Sequence, residues 1–266
     1  MYRAYFGFNR PPFDRDLAPD ALFRAPPLDE LHARLAYLVD TRGTGVLLGE
    51  PGCGKTTALR RLRDSLHPDQ VRPLYVYDTA VPSAELYRQI ALELGIEPSF
   101  SRAVTFRAVQ REIQRLAQER HLTVLLVIDE AQRLRPDVLA ELPLLTNFHW
   151  DSRPRLALLL AGTTGLRSVL HMAVLEALAQ RITVRYTLRG LDRDGTRAYI
   201  EHRLRLAGVD RALFTEPALE AVHNATQGTL RAIDGLAHHA LSAAAIARAR
   251  LVEPDHVAVA AAEVRG

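Results

Sequence analysis

Gly49-Glu50-Pro51-Gly52-Cys53-Gly54-Lys55-Thr56 is the stretch on which the fold of this chain turns. Its spacing, Gly-x4-Gly-Lys-Thr, is that of a phosphate-binding loop, in which glycines let successive backbone N–H groups turn inward around an anion. The flanks agree with it. Thr44 to Leu48 is a short apolar run that reads as a buried strand, and after Lys55 the residues Leu59, Leu62 and Leu66 recur at helical spacing. In the order strand, glycine loop, helix, the helix N-terminus adds its partial positive charge to the same anion site. Gly49 to Thr57, including Thr57 at the end of the loop, are therefore the expected nucleotide-binding residues. Lys55 is expected beside the β- and γ-phosphates, and the Thr56 hydroxyl on a magnesium ion. Lys55 is also the one lysine among 34 basic residues. A planar, forked guanidinium would not fit the space that its compact ammonium takes. Cys53 stands at a variable place in such loops, and no chemistry is expected of it.

Seventy-four residues beyond Lys55, the apolar run Thr123-Val124-Leu125-Leu126-Val127-Ile128 ends in Asp129-Glu130-Ala131-Gln132. A run without alternation reads as a parallel strand buried on both faces. At its carboxyl end Asp129 suits the magnesium shell, and Glu130 suits the polarising of a water that attacks the γ-phosphate. The same acids also suit a helix start, with Asp129 as cap and Glu130 in the first turn. The phosphate loop upstream tips the expectation toward ATP, Mg2+ and hydrolysis.

Composition removes several other classes. The chain of 266 residues is 48% hydrophobic, enough for a large domain or a large one with a small companion, and 34 basic against 31 acidic residues leave a net charge of only +3. Although the isoelectric point is about 9.2, any nucleic-acid face must therefore come from local clustering. No apolar run approaches the roughly 18–20 residues of a membrane-crossing helix, and no signal-peptide pattern opens the chain. A single cysteine allows neither an intrachain disulfide nor a multi-cysteine zinc site. The expectation is a cytoplasmic protein with no membrane partner and no transition metal.

Pro73 to Tyr77, Leu156 to Leu160 and Ile182 to Leu188 read as the second, fourth and fifth strands, with helical periodicity between them. Alternating strand and helix imply a parallel sheet covered on both faces, with ligands outside the carboxyl ends of its strands. Beyond Leu191, Asp194 to Leu206, Pro217 to Ala225 and Leu230 to Ala247 have amphipathic helical patterns, and Val252 to Ala262 reads as one further helix. Together these features resemble the AAA+ ATPases. The resemblance implies an α/β fold of the AAA+ P-loop NTPase kind: a five-stranded parallel sheet between helices over residues 1–190, with an N-terminal arm (1–27), then a small all-α lid over 191–266. It further implies a polar sensor after the fourth strand, for which Thr163 in Ala161-Gly162-Thr163-Thr164 is the candidate, a turn-capping role for either threonine being the alternative. An arginine finger that reaches a neighbouring subunit's nucleotide falls on Arg181, with Arg185 behind it. A lid arginine that touches the phosphates of its own subunit falls on Arg231 in Gly228-Thr229-Leu230-Arg231. Among 33 arginines, a solvated surface role stands as the alternative for both Arg181 and Arg231.

Two further blocks, Tyr5-Phe6-Gly7-Phe8 with Pro11-Pro12-Phe13, and Leu144-Leu145-Thr146-Asn147-Phe148, are similar to the group holding the ExeA-type secretion ATPases and the transposon regulators of the TniB, TnsC and MuB kind. In that group the N-terminal segment packs near the adenine, which makes Phe13 a nucleotide-binding candidate; a packing anchor is its other reading. ExeA-type proteins resemble membrane-attached machines with a transmembrane segment after the ATPase, and the sequence shows none before Gly266. The expectation is therefore a transposition regulator that forms a ring or helical homo-oligomer on double-stranded DNA with ATP, recruits or activates a transposase, and disassembles on hydrolysis. The alternative is a secretion or signalling ATPase, a nucleotide-switched protein scaffold without DNA binding. Candidate DNA contacts are Arg107, Arg111 and Arg115, spaced to line one side of a helix whose core side is Val109, Ile113 and Leu116. Asn147 and Arg153, flanking His149 and Trp150, form a second cluster. With Glu112 and Glu119 close by, an ion-paired solvated face is the other reading of the arginine stripe.

Overall fold

The computed structural model describes residues 2–14, 17–18, 21–148 and 154–265. In chain order its elements are α1 (Tyr2–Phe6), α2 (Pro26–Thr41), β1 (Thr44–Gly49), α3 (Lys55–Ser65), β2 (Val71–Val76), α4 (Ser83–Leu94), α5 (Arg102–Glu119), β3 (Thr123–Ile128), α6 (Pro136–Thr146), β4 (Leu156–Gly162), α7 (Gly165–Leu170), α8 (Glu176–Arg181), β5 (Ile182–Leu188), α9 (Arg193–Leu206), α10 (Glu216–Thr226), α11 (Leu230–Ile246) and α12 (Pro254–Arg265). Short 3-10 turns lie at Ala131–Arg133 and Ala173–Leu175. The chain divides into two compact units. One holds Pro27–Glu50 and Lys55–Leu188, and the other holds Met1–Pro26, Pro51–Gly54 and Arg189–Gly266.

The first unit is built on one parallel sheet with strand order β2-β3-β4-β1-β5. Burial follows that order. β1 and β4 are buried along their whole length and β3 at all but its first residue, whereas β2 and β5 alternate between buried and exposed positions, as strands at the two edges do. β2 spans Val71–Val76 and so begins two residues before the expected Pro73. Proline lacks an N–H, and an edge strand that pairs only with β3 tolerates that loss. Helices cover the sheet through Tyr87 and Ile90 of α4, Val109 and Ile113 of α5, and Leu139 and Leu142 of α6, all in one core cluster with the strands. α5 buries the side its periodicity points to, Val109, Ile113 and Leu116 among it.

The second unit is a helical bundle. Ile200 and Leu204 of α9, Leu219 and Val222 of α10, Ile233 and Leu241 of α11 and Val257 of α12 share one core. Asp192 caps α9 by accepting from the Gly195 N–H at 2.7 Å, and Thr215 caps α10 by accepting from the Ala218 N–H at 3.3 Å.

The N-terminal arm, expected with the α/β domain, belongs to this helical unit instead. Two physical reasons place it there. Tyr2, Phe6 and Phe8 are buried in the helical core, and aromatic side chains bring large apolar areas to such a contact. The second reason is Arg203 on α9, which is 4% exposed. Its Nε donates to the Pro12 carbonyl at 2.8 Å, its Nη2 to the Asp14 carbonyl and its Nη1 to the Tyr199 hydroxyl at 3.1 Å. The guanidinium also lies 5.7 Å from the ring centres of Phe13 and Tyr199. A buried cation satisfied by carbonyls of the arm acts as a staple. Replacing it by an apolar side chain of similar length, Arg203→Met, leaves those carbonyls without a donor. The expected loss is about 2 kcal/mol or more of unfolding free energy, read by chemical denaturation, with the arm becoming the earliest site of limited proteolysis. Parent-like stability together with a protected arm would contradict this role.

Candidate nucleotide site

Parallel strands all end on the same edge of a sheet, so the loops after β1, β3 and β4 emerge together. Because β4 lies between β1 and β3, the turn at Thr163 falls between the end of β1 and the Asp129-Glu130 pair.

In the glycine loop, Gly52 and Gly54 have φ of 84° and 105°, backbone conformations that strain any L side chain. Lys55 is buried, and its ammonium donates to the carbonyls of Gly49 at 2.7 Å and Glu50 at 3.3 Å. The Thr56 hydroxyl donates to Asp129 Oδ2 at 3.4 Å. A hydroxyl and a carboxylate are the hard oxygen donors that Mg2+ takes from a protein when phosphates and water supply its remaining ligands. The residues present therefore fit a nucleotide-bound magnesium ion.

Asp129 is almost fully buried and richly satisfied. Its Oδ2 also accepts from the Tyr75 hydroxyl on β2 at 2.7 Å, and its Oδ1 accepts the Glu130 N–H at 2.9 Å. Burial and the carboxylate beside it push the Tyr75 phenol far above its ordinary range, so that it remains a donor. Glu130 adopts φ 52°, ψ 35°, a left-handed conformation that costs about 1–3 kcal/mol for a side-chain-bearing residue. The fully buried Thr79 holds it there by donating to the Glu130 carbonyl at 3.0 Å. Gln132 Nε2 donates to Glu130 Oε2 at 2.7 Å, and Gln132 Oε1 accepts the Thr163 N–H at 3.1 Å. A helix-start role for the two acids is not what forms: a 3-10 turn follows, no side chain caps it, and the next α-helix begins at Pro136.

The structure brings Thr163 to this edge through its backbone N–H, while the neighbouring Thr164 hydroxyl reaches Glu50 Oε1 at 2.5 Å. Arg181, the last residue of α8, is half-buried and donates to Thr146 Oγ1 at 3.2 Å. Arg185 donates to the carbonyls of Ala179 in the last turn of α8 and of Ile182 at the start of β5.

Within the helical unit, Arg231 stands near the start of α11 with its backbone N–H on the Gly52 carbonyl at 3.1 Å. A Cβ on Gly52 would lie 2.7 Å from the Arg231 Cβ, and one on Gly228 (φ 71°) would lie 1.8 Å from the Leu191 carbonyl oxygen. Both glycines are therefore set by close approach as well as by backbone angle. Phe13 packs in the helical core beside Arg203.

The expected basic stripe is shorter than its spacing promised. Arg115 pairs with Glu112 at 2.6 Å and Glu119 at 3.5 Å, because each acid sits about one helical turn from it on α5. Arg107 and Arg111 are exposed on the same helix. Asn147 is exposed just after α6, whereas Arg153, with His149 and Trp150, lies outside the described residues. Tyr75, Thr79 and Gln132 have no role assigned in the sequence, and Thr164 has only that of a turn cap. Gln132 had a visible signal in its place three residues after Asp129. Tyr75 and Thr79 had none, since only the pairing of β2 with β3 brings them to Asp129 and Glu130.

Residues 39–170 match the family model described as AAA domain. Over 270 aligned residues the chain is 33% identical to General secretion pathway protein A of Aeromonas hydrophila, covering 100% of this chain and 49% of that protein. Among solved structures it is similar to Cdc6p from Pyrobaculum aerophilum, at 20% identity and TM-score 0.72, covering 95% of this chain and 70% of the other. It is also similar to the ORC1 protein of Aeropyrum pernix in complex with DNA, at 18% identity and TM-score 0.68, covering 97% and 70%. Glycine loop, strand order and strand-end acids agree with these likenesses: the fold is that of an AAA+ P-loop NTPase, and residues 39–170 within it are similar to an AAA domain.

Proposed function

We propose that this chain binds ATP with Mg2+ and hydrolyses it, with Glu130 as the base. The observation that carries the reading is the state of Glu130. Its backbone is held left-handed by Thr79, one carboxylate oxygen is held by Gln132, and Oε1 has no hydrogen-bond partner among the described residues. An oxygen so presented is suited to take the proton of a water that attacks the γ-phosphate. The loop N–H groups from Gly52 to Thr56, the Lys55 ammonium and the α3 N-terminus would hold the phosphates. Thr56 and Asp129 would hold the magnesium ion, which neutralises phosphate charge when bound. Thr163 would sense the γ-phosphate, Arg231 would touch the phosphates from the lid, and Phe13 would meet the base. Arg181 would act in trans within a homo-oligomer.

For the role of that switch, the likeness to General secretion pathway protein A along 100% of this chain favours a nucleotide-switched protein scaffold of the secretion type. Because the chain spans 49% of that protein, its partners are part of the proposal. A second reading is the DNA-bound regulator that recruits a transposase. Its support is the shared fold of a DNA-complexed ORC1 protein and the exposed pair Arg107 and Arg111 on α5. Either switch would work in the cytoplasm.

Lys55→Ala is expected to remove nucleotide binding, measured by titration of a fluorescent ATP analogue; retained affinity would refute the phosphate-loop assignment. In Glu130→Gln, binding should persist while turnover falls by about 10²- to 10⁴-fold, and an unchanged rate would exclude Glu130 as the base. The two roles separate in the anisotropy of a labelled duplex of about six helical turns, roughly 60 bp, with ATP, ADP and no nucleotide. The scaffold reading expects no binding in any state at low salt. Binding confined to ATP, and lost in Lys55→Ala, would replace it with the DNA reading.

A further inference from the structure

Gln132 joins the two halves of the site, and its amide can do so in only one orientation. The Thr163 N–H is a donor and must meet Oε1, while the Glu130 carboxylate is an acceptor and must meet Nε2. We infer that Gln132 is a positioning residue for hydrolysis: it fixes the Glu130 carboxylate and ties it to the turn that follows β4. This rests on the reading of Glu130 as base.

Three observations support it beyond the two hydrogen bonds. First, Gly162 is shaped around Gln132. It has no left-handed φ to demand a glycine, yet a Cβ there would lie 2.6 Å from Gln132 Oε1 and 3.0 Å from Leu166 Cδ2. Only a residue without a side chain lets the amide reach the Thr163 N–H. Second, β3 and β4 are direct neighbours, with Ile128 opposite Leu160, and β4 runs two residues further to Gly162, so the turn after β3 begins beside the end of β4. Third, the connection continues. Thr164, next to Thr163, donates its hydroxyl to Glu50 in the glycine loop. Base, strand-end turn and phosphate loop thus share one line of polar contacts, with Gln132 at its centre.

The chemistry of the amide matters as much as its position. As a neutral donor it anchors Oε2 without protonating it and leaves the Oε1 lone pairs for water. A glutamate at 132 keeps the length and the acceptor for the Thr163 N–H, but it has no proton to give and sets a second negative charge against Glu130. The two halves of the role can therefore be separated.

The test compares the full chain with Gln132→Ala, Gln132→Glu and Gly162→Ala, measuring ATP affinity, KM, kcat and Tm. Gln132→Ala and Gln132→Glu should both lower kcat by about 10- to 100-fold, while KM and ATP affinity stay within about twofold of the parent. Gly162→Ala should lower kcat in the parent and lower it much less in the Gln132→Ala background, where only the looser contact with Leu166 remains to be disturbed. If Gln132 only supports the Thr163 turn, Gln132→Glu keeps that support and turns over at the parental rate, which overturns the inference alone. A parent chain that binds ATP and never hydrolyses it overturns the hydrolase reading and this inference with it.

Discussion

Neighbouring strands of a sheet lie about 4.8 Å apart, and that spacing, applied to a sheet in which β4 separates β1 from β3, governs the candidate site. Parallel strands point the same way and require crossover connections, so every loop that carries chemistry here leaves from one edge. The glycine loop follows β1, the Thr163 turn follows β4 and the acid pair follows β3. The spacing is short enough for single side chains to span it. Thr56 at the start of α3 reaches Asp129, and Gln132 reaches back to Thr163.

Polar groups placed this deep must be satisfied, and the site is organised by that demand. Lys55, Asp129 and Thr79 are all buried, and each has its partners in nearby backbone or side chains. An unpaired buried polar group costs about 1–3 kcal/mol, so these contacts hold the groups as much as they stabilise the fold. Glu130 shows the same balance in the backbone. Its left-handed geometry is unfavourable by itself, and it persists because Thr79 takes its carbonyl and Gln132 its side chain.

The helical unit applies the same rule with a cation. Arg203 gives its donors to carbonyls of the N-terminal arm and to the Tyr199 hydroxyl, and Tyr199 in turn donates to Asp234 at 2.8 Å. The arm is thus part of the helical core, with Tyr2, Phe6 and Phe8 supplying the apolar contact and Arg203 the polar one. The start of α11 is set within the same unit: Gly228 admits the close approach of Leu191, and the Arg231 N–H closes on the Gly52 carbonyl.

By itself the sequence determined whatever depends on near neighbours. The glycine spacing of 49–56, the unbroken apolar run of β3, and the helical periodicity around Val109, Ile113 and Leu116 each answer to local rules of backbone and burial. Only the tertiary structure decided which elements meet. Tyr75 bonds Asp129 because β2 pairs with β3, and Gln132 bonds Thr163 because β4 pairs with β3. The arm joined the helical unit because a buried arginine nearly two hundred residues away held its carbonyls. Arg115 stays within the local rule: its position on the exposed face followed from periodicity, and its ion pairs with Glu112 and Glu119 from helical spacing. Periodicity says which face of an element turns inward; the partner it meets there is set by strand order and packing, which no local pattern encodes.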